Sequence, residues 1–116
     1  MKPRFDDDLE LKSAGRWLEV CGPLEWDDAD GPQGANKVIV MVRIRQGGVV
    51  AQGTSEEFDR NEPEWMVYVR PGPGQKFHSG EAQALGTLTV TDPPTDPSRG
   101  APPIFSWQGT PTLEFA

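Results

Sequence analysis

Cysteine, histidine and tyrosine each occur once in the 116 residues, as Cys21, His78 and Tyr68. A lone cysteine excludes an intrachain disulfide, and it leaves a reducing compartment compatible. One histidine and one cysteine cannot build a His/Cys metal site. Long apolar runs are missing too. No stretch approaches the length of a membrane helix, and the opening MKPRFDDDLELK has acids where the apolar part of a signal peptide would stand. The expectation is a protein with no membrane partner, either cytoplasmic or a virion component. Bases are in short supply: 11 Lys and Arg face 18 Asp and Glu, for a formal charge of -7. A general binder of phosphate backbones needs a basic face, so no nucleic-acid partner is expected. Apolar residues are also scarce. Leu, Ile, Val and Phe total 24, close to the roughly 20 % level below which highly charged chains stay disordered. Four tryptophans tip the balance toward a fold, because each can bury a large area.

The stretch around which the rest can be placed is Lys37 to Arg45, KVIVMVRIR. Its β-branched and long apolar residues suit a strand better than a helix. Side chains alternate along a strand, so Val38, Val40, Val42 and Ile44 share one face, and Ile39, Met41, Arg43 and Arg45 share the other. The charge is uneven around it. Residues 1–36 carry nine acids and four bases, residues 37–54 carry three bases and no acid, and residues 55–64 carry five acids and one base.

Residues 1–15 read as an acidic N-terminal arm or edge strand, and 16–116 as a single β-sandwich domain. Leu9 and Leu11 alternate with Glu10, while Ser13-Ala14-Gly15 signals a turn. Arg16 to Cys21 reads as a strand with Leu18 and Val20 on one face. Residues 22–36 form a long loop holding Trp26, which either caps the core or is exposed for contact. Gly47-Gly48 between two β-type runs predicts a hairpin. Thr54 to Asn61 fits one helical turn capped by Ser55. A second clear strand, EWMVYVR at 64–70, puts Trp65, Val67 and Val69 on one face and Met66, Tyr68 and Arg70 on the other. Phe77 anchors the loop into the next strand, 85–91. After the Pro-rich stretch 92–103 come a short strand at 104–108 and a last edge strand at 113–115. The expected fold is all-β: an antiparallel two-sheet sandwich of six to eight strands with at most one short helical turn.

KVIVMVRIR, EWMVYVR, the run from Phe77 through Gly80, Ala82 and Ala84 into LGTLTV, and FSW at 105–107 together resemble an immunoglobulin-like or fibronectin type III-like sandwich. The resemblance is one of architecture. No cysteine pair brackets a tryptophan, and Tyr68 lies mid-strand rather than at a tyrosine corner. Such a likeness implies a fold and assigns no function.

The constellations of catalysis are thin. His78 adjoins Ser79, but no nucleophile elbow is present. Asp28-Ala29-Asp30-Gly31 departs from a Ca²⁺ loop, with Trp26 and Lys37 standing where acids are needed. A looser cation site on Asp27, Asp28 and Asp30 stays open, against a solvated acidic loop. Cys21 has no cationic activator nearby in sequence and reads as a buried inert thiol. Neither an enzyme nor a cofactor is expected. The candidate surface is the outward face carrying Met41, Arg43 and Arg45, joined by Met66, Tyr68 and Arg70 if both strands lie in one sheet, with Trp26 as a further contact. Met, Tyr and Arg are types found at protein interfaces. Two other readings stay open: the arm folds over this face through Phe5, Leu9 and Leu11, or these residues fill the interior. The expected function is a non-catalytic interaction module that binds a protein partner or itself within a larger assembly, virion or bacterial. The alternative is a small-ligand or carbohydrate module using Trp26 and the loop acids.

Overall fold

A computed structural model describes residues 4–24, 37–59, 62–91 and 104–115. The alternation read from the sequence closes into two packed sheets. The front sheet has the order β6-β2-β1-β10-β7, built from β1 (Asp8–Lys12), β2 (Trp17–Pro23), β6 (Glu64–Val69), β7 (Gly80–Glu81) and β10 (Thr112–Phe115). The back sheet has the order β4-β3-β8-β9, from β3 (Lys37–Gln46), β4 (Val49–Thr54), β8 (Gln83–Val90) and β9 (Ile104–Gly109), with β5 (Phe58–Asp59) beside the start of β3. All pairings are antiparallel except β1 with β10. The fold is thus an all-β two-sheet sandwich. Its described residues hold ten strand segments, two of them only two residues long, so the count exceeds the six to eight expected.

The inward stripes are those the pattern names. Leu9, Leu11, Leu18, Val20, Val67, Val69 and Leu113 line the front sheet; Val38, Val40, Val42, Ile44, Leu88 and Val90 line the back, all at most 2 % exposed. Burying each such side chain contributes about 1.5–3 kcal/mol. The β3–β4 hairpin turns through Gly47-Gly48, and Gly47 takes φ +59°, a conformation an L side chain resists. Phe77 is fully buried, and its N–H donates to the Gly15 carbonyl at 2.9 Å, anchoring the loop after β6. Two crossings between sheets, at Ala82 and at Thr110-Pro111, are tied by the Ala82 N–H donating to the Pro111 carbonyl at 2.9 Å.

Trp107 of β9 points inward and lies over Gly86 of β8, where a Cβ would stand 2.3 Å from its ring. Its ring packs against Trp65 of the front sheet (centroids 5.6 Å apart, 67°) and against Phe5 (5.7 Å). Phe5 completes the group edge-on to Trp65 at 5.5 Å. Such rings favour edge-to-face contacts because their faces are negative and their edges positive. Both indole N–H groups are buried without a hydrogen-bond partner among the described residues.

Several expectations are corrected. Residues 8–12 are neither an arm nor an edge: β1 is the middle strand of its sheet, because Leu9 and Leu11 alternate into the core while parallel pairing with β10 covers its second side. The last strand, expected at an edge, has β7 beyond it at Thr112 and Leu113. No helical turn forms across Ser55–Asp59. Ser55 instead extends the ladder: its N–H donates to the Val40 carbonyl at 2.8 Å, and its Oγ accepts the Val40 N–H at 2.9 Å. The ladder offers two bonds there where a single helical turn would offer one costly nucleus. Among the described residues the helical turn lies elsewhere, as a 3-10 turn at Ser13–Gly15.

Candidate functional site

The candidate residues do not share one face. Met41, Arg43 and Arg45 point outward from β3 in the back sheet, whereas Met66, Tyr68 and Arg70 point outward from β6 and its end in the front sheet. The condition that both strands lie in one sheet is not met, and two separate outward surfaces replace the single one. Nor does the arm cover either. Phe5 is drawn into the Trp65–Trp107 group, and Leu9 and Leu11 are core residues. Trp26, the acidic positions 27–30 and the loop 92–103 lie outside the described residues.

The back face is apolar and basic. Met41 is 45 % exposed, opposite Thr87 on β8 and Thr54 on β4. Arg43 faces Leu85, itself 40 % exposed, and Arg45 faces Gln83. Arg43, Arg45, Gln83 and Leu85, with Gln108 on β9, line a shallow depression of about 580 Å³. Neither guanidinium has an ion-pair partner among the described residues. Two charged positions lie at the start of β3, exposed Lys37 and its cross-strand neighbour Asp59 on β5; Gln52 and Thr54 on β4, Thr89 on β8 and Ser106 on β9 are neutral.

The front face divides. At its β6 side, Met66 and Tyr68 are 47 % and 50 % exposed. The Arg70 guanidinium carbon lies 3.9 Å from the centroid of the Trp17 ring, a cation–π contact that fixes both groups. Arg70 also joins Arg16 and Lys76 around a depression of about 540 Å³ over the Pro71–Gly74 turn. Toward the middle the face is acidic. Cross-strand register places Tyr68, Glu19, Glu10 and Glu114 in one row across four strands. Like charges directly opposite each other repel. Lys12 relieves part of this, with Nζ 3.2 Å from Glu19 and 3.7 Å from Glu10. Its ammonium is held above the ordinary lysine range, first by the Glu19 hydrogen bond and then by the Glu10 charge.

Cys21 sits on this front face opposite Met66, half-buried rather than in the core. The thiol donates to Asp6 Oδ2 at 3.2 Å. Burial, followed by the Asp6 hydrogen bond and charge, pushes its pKa up to about 12. Inertness therefore comes first from partial burial on the sheet face and then from a neighbouring carboxylate that stabilises the protonated form.

His78 is exposed on a loop, where its backbone is clasped by Gln46: the His78 N–H donates to Oε1 and Nε2 donates to the His78 carbonyl, both at 2.8 Å. Among the described residues no three of His, Cys, Asp and Glu are placed to hold a metal ion, and no helix is long and apolar enough to cross a membrane. Comparison with family models, curated proteins and solved structures finds no match. Sequence reasoning missed the carboxylate row, because β1 and β10 are separated by most of the chain. It also missed Leu85, which the alternation of LGTLTV places opposite Leu88 and Val90 and which could have been found that way.

Proposed function

We propose that the protein is a non-catalytic β-sandwich interaction module, a structural subunit or accessory of a larger protein assembly such as a virion or a bacterial complex. The observation that carries this reading is the exposure of Met41, Leu85, Met66 and Tyr68 by 40–50 % on the two outer sheet faces. A sheet face left to solvent is normally polar. Here large apolar side chains are interleaved with arginines, the mixture that forms the centres of protein interfaces. The strand order favours an immunoglobulin-like or fibronectin type III-like sandwich as well: β1, β2 and β6 adjoin in one sheet, and β4, β3, β8 and β9 adjoin in the other. In such sandwiches the sheets serve as a scaffold for whatever surface is presented.

A sugar-binding platform needs flat aromatic rings open to solvent. Trp65 is 2 % exposed, Trp107 packs on Gly86, and Trp17 lies beneath Arg70. These engagements of the three described tryptophans favour the interaction reading over the carbohydrate one, whose Trp26 and loop acids lie outside the described residues.

The test is co-sedimentation from the producing cell. Met66→Lys/Tyr68→Glu and Met41→Glu/Leu85→Lys, each first checked for an unchanged thermal melt, are expected to release the protein from high-molecular-weight fractions in at least one case. Full retention of both variants, or binding of the wild-type protein to a glycan array, would contradict the reading.

A further inference from the structure

The two outer faces carry opposite charge. On the front, Asp8, Glu10, Glu19 and Glu114 project outward against Lys12 and Arg70, and Glu81 on β7 extends the acidic side beside Thr112. On the back, Arg43 and Arg45 project among neutral Gln, Thr and Ser positions, with Lys37 and its cross-strand neighbour Asp59 at the far end of β3. Each face also offers apolar centres, Met66 and Tyr68 in front and Met41 and Leu85 behind. We infer that the partner of the basic back face is the acidic front face of a second copy of this chain, so that copies stack front to back. This rests on the interaction reading above and names its partner.

Three physical points make the second copy the fitting occupant. Like faces repel in a back-to-back pair through Arg43 and Arg45, and in a front-to-front pair through the row Glu19, Glu10 and Glu114. Front to back, each guanidinium finds the carboxylates it lacks among the described residues of its own chain. The contact is then heterologous: the patch used on one copy differs from the patch used on the next, which leaves both ends of a stack able to add further copies.

Size sets the strength. A face about four strands wide and six residues long covers roughly 400 Å² per copy, so a contact buries about 800 Å² in total. That is below the roughly 1,200 Å² of stable pairs. The association is weak for a single contact, concentration-dependent, and sensitive to salt because the charges lie at the surface.

A charge-swap experiment tests this by sedimentation velocity across a concentration series, at low and high ionic strength. The wild-type chain is expected to associate at low salt and dissociate near 1 M salt, where the Debye length is about 3 Å. Arg43→Glu/Arg45→Glu leaves both faces acidic, and Glu10→Lys/Glu114→Lys removes the net acidity of the front, where Asp8, Glu19, Glu64 and Glu81 then face four bases. Each alone is expected to associate about tenfold or more weakly, while an equimolar mixture of the two recovers association. Near-ultraviolet circular dichroism confirms that both remain folded. A wild-type chain that stays monomeric at every concentration, an Arg43→Glu/Arg45→Glu variant that associates as well as wild type, or a mixture that fails to recover would each overturn the inference. If the inference fails this way while face variants are still lost from the native assembly, a foreign partner is indicated and the interaction reading stands.

Discussion

Gly86→Ala examines the internal geometry that holds the two outer faces apart. A Cβ at Gly86 would lie 2.3 Å from Cε2 and 2.4 Å from Cζ2 of Trp107, against an ordinary contact of 3.4–4 Å. The indole must retreat by about 1 Å, and its exits are filled: Trp65 stands 5.6 Å away and Phe5 5.7 Å away, centroid to centroid. Overpacking of this kind costs about 1–3 kcal/mol, and disturbing an aromatic pair forfeits about 0.5–1.5 kcal/mol more. A loss of about 2–4 kcal/mol is expected, a drop of roughly 8–15 °C in Tm for a domain of this size. Guanidinium titration followed by far-ultraviolet circular dichroism reads it as a lowered midpoint at unchanged slope. The control is Gly48→Ala, where nothing lies within 4 Å of the added carbon; no loss beyond about 0.5 kcal/mol is expected there. Trp107→Leu should remove most of the Gly86→Ala penalty, with a coupling of about 1–3 kcal/mol in the double-mutant cycle. If Gly86→Ala is as stable as Gly48→Ala, the placement of Trp107 across the interior is wrong.

Two further outcomes follow from single contacts. Ser55→Ala removes the Oγ that accepts the part-buried Val40 N–H; leaving that donor unpaired should cost about 1–3 kcal/mol, and amide exchange at Val40 should accelerate. Cys21 should alkylate slowly at neutral pH, with a rate still climbing above pH 10, because its thiol titrates at about 12 rather than 9.0. Asp6→Asn should raise that rate, since Asp6 is among the groups holding the proton in place. The same shift makes stability fall with rising pH between about 9 and about 12. The unfolded chain loses the thiol proton first, so the native state binds more protons in that window. A rate plateau below pH 10, or stability flat across the alkaline range, would contradict the Cys21 environment.

The strands were legible because their signal is local. KVIVMVRIR and EWMVYVR alternate cleanly, and Gly47-Gly48 marks a two-residue turn whose backbone demand only a few residues meet. What stayed hidden depends on residues far apart in the chain. Nothing near Leu9 announces that Thr112–Phe115 will lie beside it in parallel, so β1 read as an arm or an edge strand. Nothing near Met66 says which sheet β6 will join, so one candidate surface became two. Ser55 misled because the oxygen that caps a helix equally accepts a strand N–H, and the choice falls to Val40, fifteen residues away. Gly86 did carry a usable sign: a glycine inside a strand often marks a large neighbour crossing close above it.

Photo-crosslinking in the producing cell addresses the claim that the outer faces are where this protein meets its neighbours. A photoreactive residue is placed in turn at Tyr68, at Met41 and at Gly48, an exposed position in the β3–β4 turn with nothing within 4 Å of an added side-chain carbon. The account predicts discrete protein adducts from Tyr68 and from Met41, and none from Gly48. Adducts from Gly48 alone, or none from either sheet face, would contradict it.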